Sequence, residues 1–103
     1  MAGSETSTRP FDVATYLRTP EDAAAYLSAA LEESDPAAFR RALSDVARAR
    51  SMAAVAEASG LGRESLYKAL SQTGNPSLDT VQRVVSALGL TLAVLPVAPA
   101  ENS

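Results

Sequence analysis

The sequence predicts an all-α protein, and three observations carry that prediction. Alanine is abundant while aromatics are few (three tyrosines, two phenylalanines, no tryptophan), a composition that favours helices and lets them approach closely. Helix-start signals recur at Thr19-Pro20-Glu21-Asp22, Ser34-Asp35-Pro36 and Asn75-Pro76-Ser77, where a capping side chain lies beside a proline. Apolar residues fall at helical spacing, most clearly Leu78, Val81, Val84, Val85 and Leu88.

Residues 1–10 are small and polar and are expected to be disordered. Phe11–Leu17 is compatible with a short helix capped by Asp12 or with an extended arm. A first clear helix starts at Pro20, with Glu21 and Asp22 at the positive end of its dipole, and runs to about Glu33. Its apolar stripe is Ala23, Leu27, Ala30 and Leu31. A second helix, about 36–50, buries Phe39, Leu43, Val46 and the alanines between them, and turns Arg40, Arg41, Arg48 and Arg50 away. Ser51 caps a short helix over 52–59 that ends at Gly60. Another spans about 63–71, and Gly74-Asn75-Pro76 breaks it. Ser77 caps the helix at 78–88, which Gly89 ends. TLAVLPV at 91–97 is rich in strand-forming residues, and a lone strand needs a partner. It is expected to pair with a copy from a second molecule or to lie on the core. These elements divide the chain into 1–10, an acidic segment 11–35, a helical domain 36–95 and a frayed end 96–103.

A chain of 103 residues supports one modest core. There is no cysteine, so no disulfide scaffold, and nothing points to an oxidising compartment. The first residues carry no apolar run and no membrane-length segment follows, which predicts a cytoplasmic protein with no membrane partner. Histidine is also absent, which removes the commonest general base and, with cysteine, the usual zinc ligands. With Lys68 the single lysine, and without paired carboxylates or a phosphate loop, catalysis is not expected, nor a metal or cofactor.

The net charge of −3 is unevenly spread. Residues 1–35 hold seven acids against Arg9 and Arg18, whereas residues 36–72 hold five arginines and Lys68 against Asp45, Glu57 and Glu64. An acidic front and a basic middle point to two partners, or one for each face.

Residues 52–71, MAAVAEASGLGRESLYKALS, fit a helix-turn-helix position by position. Ala56 is the small residue where two helices cross, and Gly60 lies four residues on, where the turn needs positive φ. Val55, Leu61, Leu66 and Ala69 or Leu70 are spaced to face a core. Arg63, Glu64, Tyr67, Lys68 and Ser71 are left on the outer face, where such a helix meets the major groove. Arg63 could read guanine, Lys68 and Ser71 a phosphate or base edge, and Tyr67 a phosphate or thymine methyl. The amides opening the helix at Ser77, with Asn75 before it, could meet another phosphate. Helix–turn–helix units also occur in purely structural bundles, and a polar face on a short helix is commonly just solvated.

Beyond the motif, the segments YLRTPEDAAAYLSAALEESDP, GRESLYKALS and GNPSLDTV…ALGL resemble the addiction-module antidote proteins, HigA-like antitoxins with an Xre/Cro-type helix-turn-helix. The resemblance covers about residues 10–95. It implies a λ-repressor/Cro-like bundle of about five helices, with an N-terminal helical extension and a short C-terminal strand used in dimerisation. It further implies a cytoplasmic homodimer bound to double-stranded operator DNA, and a toxin partner of the RelE/ParE superfamily. The DNA-binding set on this reading is Gly62, Arg63, Glu64, Tyr67, Lys68, Ser71, Asn75 and Ser77. The dimer interface would use Val85, Leu88, Leu90, Leu92 and Val94, and the toxin would meet Phe11, Tyr16, Leu17 and Tyr26. Family members often carry serine at the position of Gly62. A phage-type repressor without a toxin, or an interaction module that keeps the fold but not DNA binding, are the other readings.

Overall fold

The computed structural model describes residues 17–97. Five α-helices follow one another: α1 (Pro20–Glu32), α2 (Pro36–Arg50), α3 (Met52–Ser59), α4 (Arg63–Ala69) and α5 (Leu78–Ala87). The start signals act as caps. Thr19 Oγ1 accepts the Asp22 amide at 3.1 Å, Asp35 Oδ1 the Ala37 amide at 3.0 Å, Ser51 Oγ the Ala54 amide at 3.2 Å and Ser77 Oγ the Thr80 amide at 3.1 Å. Each satisfies one of the donors a helix leaves open at its first turn. Ser51 ends α2 and begins α3 with φ 127°, an unusual angle for a residue with a side chain.

α3 sits at the centre, packed on α2, α4 and α5, while α1 lies along α2. The largest fully buried side chains, Leu17, Leu43, Val46, Val55, Leu66, Val84 and Leu88, come from the segment before α1, from α2 to α5 and from the end of α5. Each contributes on the order of 1.5–3 kcal/mol by leaving water. Ala23, Leu27 and Ala30 of α1 belong to the same cluster, so α1 is part of this core. Arg50 is used structurally: its Nη2 donates to the Leu88 carbonyl at 3.2 Å and ties the end of α2 to the end of α5. The arrangement is compatible with an all-α helix-turn-helix bundle, with α3 and α4 as the two helices of the motif.

Several expectations need correction. Among the described residues there is no strand: 91–97 runs without a backbone partner, because the other regular elements among those residues are all helical. Val85 and Leu88, expected at a dimer interface, are 3% and 0% exposed and belong to the chain's own core. Leu17, expected to meet a toxin, is likewise wholly buried. Leu78 fits the apolar pattern of α5 yet is 68% exposed, because it occupies the first turn, beyond the edge of the core. Leu31 is also exposed, at the last turn of α1. Phe11 and Tyr16, the expected disorder of 1–10 and most of the frayed end lie outside the described residues.

Candidate nucleic-acid interface

The α3–α4 unit is fixed from behind. Ser59, the last residue of α3, is buried; its hydroxyl donates to the Ala56 carbonyl at 3.2 Å and accepts the Leu61 amide at 3.3 Å. Arg83 of α5 reaches the Ser59 carbonyl with Nη1 at 3.5 Å, while its Nε pairs with Asp79 at 2.9 Å. Neither Ser59 nor Arg83 stands out in the sequence, because both act across the fold. Leu66 and Leu70 then anchor α4 to the core at 0% and 5% exposure.

Both ends of the turn use positive φ. Gly60 is left-handed at φ 77°, ψ 8°, and closes α3. Gly62 opens α4 at φ 83°, ψ 157°, a region essentially restricted to glycine. This gives the physical reason for glycine at this position. It also leaves α4 without a side-chain cap.

The outer face of α4 carries Arg63, Glu64, Tyr67 and Lys68, all exposed. Ser71 is half-buried and its hydroxyl donates to the Lys68 carbonyl at 2.9 Å, so it closes the helix end. Lys68 shares a shallow cleft of about 340 Å³ with Asn75 and Ser77, bringing together three residues separated in sequence. On the other flank, the Arg48 guanidinium of α2 lies over the Tyr67 ring, 5.7 Å from its centroid. That contact holds an exposed aromatic in place by cation–π attraction. Its sequence spacing gives no signal of it.

The other expected surfaces are dispersed. Tyr26 is half-buried on α1 and donates to Asp45 of α2 at 2.6 Å. That hydrogen bond, then burial, then the Asp45 charge raise its hydroxyl to a pKa of about 12. Leu90 is half-buried, Leu92 is 37% exposed and Val94 is 99% exposed. Leu90 and Leu92 line an apolar cleft of about 380 Å³ with Leu27, Leu31, Phe39 and Leu95. No helix of the described residues is long and apolar enough to cross a membrane.

Over residues 7–96 the chain matches the family model described as "Probable addiction module antidote protein". It is 45% identical over 86 residues to an uncharacterized protein of Haemophilus influenzae, covering 84% of this chain and 89% of that one. No solved structure matches it. The family match spans nearly the whole chain, and the chain therefore belongs to the family of probable addiction module antidote proteins.

Proposed function

We propose that this protein is a type II antitoxin that neutralises a RelE/ParE-superfamily toxin by direct binding and represses its own operon through α4. Membership of an antidote family implies a toxin partner of some kind. The observation that carries the DNA half is the convergence at α4. A glycine turn clamped by Ser59 and Arg83 presents Arg63, Glu64, Tyr67 and Lys68 outward, with Asn75 and Ser77 beside Lys68. Such a face suits a major groove, with α3 across the backbone.

The exposed apolar residues of 91–97 and the cleft at Leu90 and Leu92 support self-association through this end of the molecule. A two-fold dimer would set two α4 helices about one DNA turn apart on an inverted-repeat operator. The toxin would meet the acidic N-terminal part, and the whole complex would act in the cytoplasm. Co-expression with the neighbouring open reading frame, followed by mass measurement, tests the antitoxin reading. A stable complex with a small basic protein supports it; a chain that purifies alone and does not relieve that protein's growth inhibition contradicts it. The runner-up, a repressor without a toxin, would bind its operator with no such neighbour.

A further inference from the structure

The helix α4 has two polar flanks, and each borders a different cleft. At 3.6 residues per turn, Ser65 and Ala69 lie on one side of the outward face and Arg63 and Tyr67 on the other. The Ser65 side carries the cleft of Lys68, Asn75 and Ser77. Beside Tyr67 lies a larger open groove of about 500 Å³, between α1, α2 and the end of α4.

Three arginines of α2, Arg40, Arg41 and Arg48, line that groove, with Glu33 and Asp45 as its carboxylates and Ser71 and Gln72 on its far wall. Among the described residues none of the three arginines forms an ion pair; Arg83 and Asp79 form one, at a distance from the groove's lining. Asp45 is engaged by the Tyr26 hydroxyl. Arg40 Nε is buried without a hydrogen-bond partner, and Arg41 is exposed. Arg48 is held in place from two sides, by its Nε donating to Ser44 Oγ at 3.2 Å and by the Tyr67 ring. A guanidinium fixed in this way, with no carboxylate partner, suits a phosphate, which it can meet with paired N–H donors.

Resting on the DNA-binding reading of α4, we propose that this groove takes backbone phosphates of the operator strand on the Tyr67 side of the helix, with Arg41 and Arg48 meeting them. The dimensions fit. A helix about 10–12 Å across in a groove about 12 Å wide is flanked by both phosphate backbones. The Lys68 cleft faces one strand and the α2 arginines face the other. The footprint thus extends beyond the two helices of the motif to α2, and Arg48 links phosphate binding to the placement of Tyr67.

The test is fluorescence-anisotropy titration of DNA from upstream of the protein's own gene at several salt concentrations. The proteins are wild type, Arg41→Gln, Arg48→Gln, Arg48→Lys and Lys68→Ala, with thermal melts to show that each is folded. For every phosphate no longer neutralised, the slope of log affinity against log salt becomes shallower by about 0.9. Arg41→Gln and Arg48→Gln are each expected to flatten it by about that much, and Arg48→Lys to keep most of the wild-type slope. Wild-type slopes for both glutamine variants, with binding weakened only by Lys68→Ala, overturn the groove while leaving the α4 reading intact. Absence of salt-dependent binding by wild type overturns both. Unchanged DNA binding with loss of the toxin complex reassigns the groove to a protein partner and overturns the proposal.

Discussion

Replacing Gly62 by serine sets two effects of known sign against each other. Serine is a slightly better N-cap than glycine, by a few tenths of a kcal/mol. At φ 83° and ψ 157°, however, a residue with a β-carbon sits in a region that costs about 1–3 kcal/mol. The new β-carbon meets nothing within 4 Å, so the cost is torsional rather than steric. The torsional effect wins, and Gly62→Ser should destabilise the fold by roughly 1–2.5 kcal/mol. In a domain of this size that lowers Tm by about 4–8 °C per kcal/mol. Urea denaturation followed by circular dichroism measures it, and Gly62→Ala, with the same torsional cost and no capping oxygen, should be at least as unstable. If Gly62→Ser is as stable as wild type, the chain enters α4 through an ordinary extended cap like that of Ser77, at φ −69° and ψ 165°. The account of the turn would then be wrong.

Leu66 is wholly buried and anchors α4, so Leu66→Ala should cost about 2–5 kcal/mol in the same experiment. At Ser51, with φ 127°, glycine should be more stable than alanine by roughly 1–3 kcal/mol, the reverse of ordinary helix preference: both lose the capping hydroxyl, but alanine keeps the strain that glycine relieves. Tyr26→Phe removes the 2.6 Å hydrogen bond to Asp45 and should lower stability at neutral pH. The Tyr26 hydroxyl is raised from 10.0 to about 12, so its protonated form is favoured by folding. Its contribution is complete below pH 10 and is lost as pH rises through 12; the stability gap between wild type and Tyr26→Phe should therefore narrow across that window.

The helices are legible in the sequence because their signals are local. The proline-containing starts at Pro20 and Pro36, and Ser51 and Ser77 as caps, place four helix beginnings, and the apolar spacing fixes which faces turn inward. Gly60 is legible for the same reason. What the sequence leaves hidden depends on residues far apart in the chain. Nothing local tells Val85 and Leu88 from a surface pair, because their burial depends on α3 packing against α5. The same holds for Arg50 on Leu88, Tyr26 on Asp45 and Arg48 over Tyr67. At 91–97 the strand-forming residues run outside any helix, but no strand lies among the described residues to pair with them. Gly62 reads in the sequence as a glycine after the turn leucine, and only its φ shows why a side chain is strained there.

The central claim is that the outward face of α4 reads DNA. Its most direct test is the affinity of the full chain for DNA from upstream of its own gene, against a random duplex of equal length, for wild type, Arg63→Ala and Lys68→Ala. Tighter binding to its own DNA by wild type is predicted, with Arg63→Ala losing roughly 1–3 kcal/mol and its preference, and Lys68→Ala weakening binding to both duplexes with a shallower salt dependence. Equal affinity of all three proteins for both duplexes would contradict it.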